Sequence, residues 1–124
     1  MKLAATIARY LLGFIFTVFG LNGFLHFLPA GPMPPLAGQF IGALMQSHYM
    51  AVVFALQLVC GLLLLANLYV PLALTILGPI IFNIILFHAC MAPSGLPLAG
   101  FVTLLWAVLA WRARSVFAPI LQSS

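Results

Sequence analysis

Residues Tyr10–Pro35 read YLLGFIFTVFGLNGFLHFLPAGPMPP. The run up to Leu28 carries no Lys, Arg, Asp or Glu, and about 20 such residues suffice to cross the hydrocarbon core of a bilayer as a helix. It then stops on prolines 29, 32, 34 and 35, which lack the N–H that a continuing helix must donate. Outward from this stretch the pattern repeats. Apolar runs at roughly 49–68, 71–91 and 97–111 are separated by the turn-forming segments NLYVP (67–71) and APSG (92–95).

Composition points the same way. The chain is 66% hydrophobic and 3% charged, whereas soluble domains are about 45 to 50% apolar and about 25% charged. The predicted fold is therefore all-α: one domain over residues 1–124, an integral membrane four-helix bundle with spans at roughly 10–28, 49–68, 71–91 and 97–111. Between the first two spans, PPLAGQFIGALMQSHY (34–49) opens with proline at a helix start and sets Leu36, Phe40 and Leu44 at helical spacing. It predicts a short interfacial helix at roughly 35–47. Within it, Gly38 and Gly42 form a GxxxG step of the kind that permits close backbone packing.

The cations Lys2, Arg9, Arg112 and Arg114 all lie near the two ends. An even number of spans puts both ends on one side, and the positive-inside rule assigns that side to the cytoplasm. Arg112 and Arg114 are expected to snorkel to the headgroups. The first apolar run is too long for a signal peptide and no small-x-small cleavage site follows, so it is expected to be retained. Four separated cations make no nucleic-acid stripe.

Aspartate and glutamate are absent. That excludes paired-carboxylate acid–base catalysis, Asp-oriented triads, carboxylate proton relays and side-chain carboxylate sites for Ca²⁺ or Mg²⁺ within this chain. Histidine is left as the obvious proton carrier. Cys60 and Cys90 form no CxxC pair and read as buried apolar thiols, too far apart in depth for a bridge.

Helical rise of about 1.5 Å per residue sets Asn22, Gln57, Asn83 and Thr103 in one polar layer, roughly 10 to 12 Å below the outer surface. His26, His48 and His88 sit above it, each near the outer end of a span. Asn22 and His26 share a helix face, being four apart. Polar groups at such depth usually face the protein interior, so Asn22, His26, Gln57, Asn83 and His88 are the candidate ligand-binding residues. Alternatives remain open at this level. The amides can serve as interhelical hydrogen bonds and the histidines as caps; two histidines can ligate a haem; His88, Cys90 and Met91 offer donors that suit Cu(I); or a quinone can sit between apolar walls and accept hydrogen bonds.

The segments FGLNGFLHFLP, MPPLAGQFIGAL, GLLLLANLYVPLALTILGPIIFNIILFH and APSGLPLA together resemble the DoxX-like family of small four-span membrane proteins, over nearly the whole stretch 9–121. The resemblance implies a bacterial inner-membrane bundle, some relatives being linked to thiosulfate:quinone oxidoreductase subunits or oxidative-stress complexes. It also implies two departures. Relatives often carry a glutamate where this chain has Gln57 and an aspartate where it has Ala92. Proton handling by that glutamate is then lost here.

Two functional classes follow. One is a redox-associated subunit holding a quinone or similar molecule in an outer-facing pocket, with electrons supplied by an oxidoreductase partner and no autonomous catalysis. The other is a structural or interaction subunit, packing against itself or another membrane protein without a ligand. The topology is testable on its own: in a cysteine-free background, an impermeant thiol reagent applied from outside should label a cysteine placed at Ser94 and spare one at Ser123. The reverse pattern would overturn the assignment.

Overall fold

The computed structural model describes residues 2–29 and 31–123; Ala30, inside the proline-rich stop, lies outside them. The described chain is helical, without strands: α1 (Lys2–Leu25), α2 (Pro35–Gln46), α3 (Tyr49–Ala66), α4 (Val70–Met91), α5 (Leu96–Arg112) and the single turn α6 (Arg114–Phe117). Four of these, α1, α3, α4 and the Pro93–Arg112 segment that includes α5, are long and apolar enough to cross a membrane, as expected of a multi-pass protein. α1 packs on α3 and α5, and α4 on the same two helices, so the four enclose a common interior. The end at which Arg9 of α1 meets the last turn of α3 is called the terminal end, and the opposite one the far end.

Two boundaries differ from expectation. α1 begins at Lys2, because nothing in Lys2–Arg9 breaks a helix and Ala5 and Ala8 are buried against the core. α5 exceeds its predicted span by one residue at each end, Leu96 to Arg112, and a 3₁₀ turn at Pro93–Gly95 leads into it. Pro71 stands in the first turn of α4, where its missing N–H costs nothing. α2 forms where its spacing predicted. Its Ala37 is fully buried and its Phe40 stacks on Phe87 of α4, with ring centroids 5.9 Å apart.

The closest helix pair is α1 with α3, and glycine makes it so. A β-carbon on Gly20 would lie 2.6 Å from the Leu58 nitrogen and 2.9 Å from the Phe54 carbonyl oxygen. One on Gly61 would lie 2.8 Å from the Gly13 carbonyl oxygen. No real side chain tolerates such contacts, so the backbones meet where side chains would otherwise hold them apart. Gly38 and Gly42, expected to provide a close approach, have nothing within 4 Å of the point where a β-carbon would stand. They lie on the open side of α2, since Ala37 is the residue that α2 buries.

Charge tightens the terminal end. Arg9 turns across to α3, where its guanidinium donates to the Leu64 carbonyl at 2.6 Å and the Leu65 carbonyl at 3.4 Å. These are among the last carbonyls of α3, where Leu64 otherwise accepts the capping Asn67 N–H at 3.2 Å, and the cation meets the negative end of the helix dipole. Arg9 also lies 4.4 Å over the Tyr10 ring. Arg114 does the same job locally, donating to the Trp111 carbonyl at 2.9 Å and stacking on that indole. Between α4 and α5, the Trp106 indole donates to the Leu74 carbonyl at 2.9 Å, and Gly78 leaves room for the ring.

Gly61→Ala should lower the unfolding midpoint in mild detergent by an amount equivalent to about 1 to 3 kcal/mol, the usual cost of overpacking. Gly42→Ala should leave it unchanged or raise it slightly through better helix propensity. Equal effects at the two sites would remove the glycine argument.

Candidate functional site

At the far end the four helices do not close. A cleft of about 240 Å³ opens among them, walled by Ile15, Phe16, Phe19 and Asn22 of α1, Phe54 and Gln57 of α3, Ile84 and His88 of α4, and Leu98, Ala99 and Val102 of α5. Phe16 and Val102 are buried and belong to the core below, so they form its floor. Phe19 and Leu98 line it yet remain 40% and 49% exposed. The cleft is thus open at the side between α1 and α5, and its lip is apolar.

Three of the five predicted site residues meet here: Asn22, Gln57 and His88. Each is set by local structure. α1 ends when His26 takes a left-handed conformation (φ 52°), its N–H closing on the Asn22 carbonyl at 2.8 Å. The Asn22 side chain completes the cap, its Oδ1 accepting the Leu28 N–H at 2.7 Å. Its amide nitrogen is left as a donor.

His88 sits in the last turn of α4, where the APSG segment folds back over it. Its Nδ1 is 3.1 Å from the Ala92 carbonyl oxygen, and Gly95 packs directly on the imidazole. Gln57 lies two turns inside α3 and is only 6% exposed. Among the described residues its amide has no hydrogen-bond partner. The residue is buried, but its amide, unlike the sealed Thr17 hydroxyl, keeps access to the cleft and is free to pair with what occupies it.

The remaining predicted residues lie elsewhere. Asn83 is exposed and donates to the Pro79 carbonyl of its own helix at 2.8 Å. His26 is exposed beyond the end of α1 and does not line the cleft. Thr103, from the same polar layer, bonds back to the Ala99 carbonyl at 2.8 Å. Cys60 is buried, whereas Cys90 is exposed, and both are free thiols. The described residues gather no group of three His, Cys, Asp or Glu.

The sequence reading missed the aromatic walls and the part played by Gly95. A glycine four residues before Ala99, in a segment read only as a turn, gave no sign that an imidazole would rest on it. A larger groove, about 420 Å³, runs over α3 along Phe24, Ala51, Val52, Ala55, Leu56 and Val59. It is shallow and offers apolar side chains alone, so it provides shape without chemistry.

No family model, no curated protein and no solved structure matches this chain.

The unpartnered amide makes a sharp prediction. Gln57→Leu, close in volume, should leave the unfolding midpoint of the ligand-free protein unchanged or raise it, since no hydrogen bond among the described residues is lost. Were Gln57 an interhelical hydrogen bond, the same change would lower it.

Proposed function

We propose that the chain is a multi-pass protein of the bacterial inner membrane whose cleft holds a quinone or similar small neutral carrier. On this reading the four long helices form an embedded bundle, α2 lies at the outer interface, and both termini are cytoplasmic. The DoxX-like resemblance supports the same membrane and the same redox association. Residue placement adds support: Tyr49 and Tyr69, 62% and 71% exposed, bracket α3. The 18 residues of α3 rise about 27 Å, close to the thickness of a hydrocarbon core, with an aromatic at its start and another in the turn just beyond its end.

The observation that carries the ligand reading is the Gln57 amide, which has no partner among the described residues and opens on a cleft that Asn22 and His88 also line. Phe16, Phe19 and Phe54 offer a flat ring apolar surfaces, and the amides offer its oxygens donors. No charged side chain lines the cleft, which favours a neutral ligand. The apolar lip at Phe19 and Leu98 suits a carrier that arrives from the bilayer with its tail trailing outward. With no cofactor motif and no CxxC pair in the sequence, electrons would come from an oxidoreductase partner. A homo-oligomer is compatible with this arrangement.

A short-tailed 1,4-benzoquinone titrated into the purified protein in lipid nanodiscs should bind saturably and raise the unfolding midpoint. Gln57→Leu should weaken binding at least about tenfold, equivalent to ~1.4 kcal/mol, while Leu62→Val on the exposed face of α3 should not change it. A titration without saturation, or an unaffected Gln57→Leu variant, would leave a structural subunit as the better reading.

A further inference from the structure

The His88 ring is held on three sides. Nδ1 faces the Ala92 carbonyl at 3.1 Å, Gly95 covers Nδ1 and Cε1, and Phe87 stands edge-on with its ring centroid 5.1 Å away. A carbonyl oxygen only accepts, so Nδ1 carries the hydrogen and the neutral ring keeps its lone pair at Nε2. The acceptor is itself fixed, since the Ala92 oxygen also takes the Gly95 N–H at 3.1 Å and Ala92 is buried. With Nδ1 and Cε1 covered, the edge left to the cleft is Nε2 and Cδ2.

Asn22 is polarised in the opposite sense: it has committed Oδ1 to the Leu28 N–H, so it presents its amide hydrogens. Gln57 presents a complete amide, able to donate or to accept. The cleft therefore offers donors from α1, an adaptable amide from α3 and a pinned acceptor from α4.

We infer that the cleft selects the reduced, dihydroxy form of a ring carrier over its oxidised dione. The inference rests on the carrier reading above and concerns binding only. A hydroquinone hydroxyl donates to His88 Nε2, while its other oxygen accepts from the Asn22 or Gln57 amide. A dione has acceptors alone. It leaves Nε2 without a donor and sets oxygen against a lone pair, and sites built to pair a hydroxyl reject analogues that lack it. By linkage, tighter binding of the reduced form raises the reduction potential of the bound couple, by about 30 mV for each tenfold in affinity in a two-electron couple.

The test uses the full chain in nanodiscs at mildly alkaline pH, without oxygen. Binding of a short-tailed 1,4-hydroquinone is compared with binding of the corresponding benzoquinone, and ¹⁵N-histidine spectra report the His88 tautomer. The parent protein should bind the hydroquinone at least about tenfold more tightly, and His88 should carry its hydrogen on Nδ1. His88→Phe should abolish the preference by lowering hydroquinone affinity at least about tenfold more than dione affinity, whereas Leu62→Val on the exposed face of α3 should change neither, a pattern that general loss of structure would not produce. Equal binding of the two forms, or a hydrogen on Nε2 of His88, overturns the inference and leaves the carrier reading standing. Binding of neither form sinks both. Should His88→Phe fail to fold, the parent comparison and the tautomer decide the matter by themselves.

Discussion

Backbone contact between α1 and α3 sets the geometry on which the rest depends. Gly13 and Gly20 on one helix and Gly61 on the other remove the side chains that would separate them. The register this creates fixes two levels at once. At the terminal end it brings Arg9 to the last carbonyls of α3. At the far end it brings Asn22 and Gln57 to one cleft. A helix pair held apart by leucines would have neither, because the reach of a guanidinium to a facing carbonyl and the overlap of two short amides both need close axes.

The uneven treatment of polar groups then separates scaffold from site. Thr6, Thr75, Asn83 and Thr103 each donate to the carbonyl four residues back, which satisfies the side chain within its own helix. Such groups ask nothing of their neighbours. Thr17 and Gln57 escape this pattern in different ways. The Thr17 hydroxyl is sealed without a partner against Gly61 in the α1–α3 contact, where nothing can reach it. Gln57 also lacks a partner among the described residues, but its amide opens on the cleft, where a ligand can reach it.

Much of the fold was legible in the sequence because its signals are long and redundant. Runs of apolar residues ended by Pro29, Pro35, Asn67 and Pro93 define helices whatever their neighbours do. The helix of Pro35–Gln46 emerged from its spacing and its proline start. Pairing was less legible. GxxxG at Gly38 and Gly42 satisfies the motif but faces open space, whereas Gly13, Gly20 and Gly61 sit on two separate helices and follow no spacing within one. The candidate site divided along the same line. Depth alone grouped five residues, and depth cannot tell that Asn83 will bond to Pro79 or that His26 will leave the helix in a left-handed turn. Rotation about the helix axis decides those outcomes, and rotation is set by packing.

Arg9 has a further meaning for how the chain comes to be assembled. Its acceptors lie 55 and 56 residues further on, so in synthesis the cation exists well before the carbonyls that hold it. On the membrane reading proposed above, α1 inserted alone keeps its basic end among headgroups and water, where the charge is solvated. Once α3 has been completed and has turned back, its final turn takes over that solvation, and α1 is free to settle deeper, bringing Ala5 and Ala8 to the core. The first span then has an early and a late position in the bilayer, and the passage between them is gated by the arrival of the second span. Quality control can act on that interval: a chain whose α3 is cut short or misoriented keeps a helix with a displaced, exposed apolar turn, a mark by which an incomplete molecule differs from a finished one.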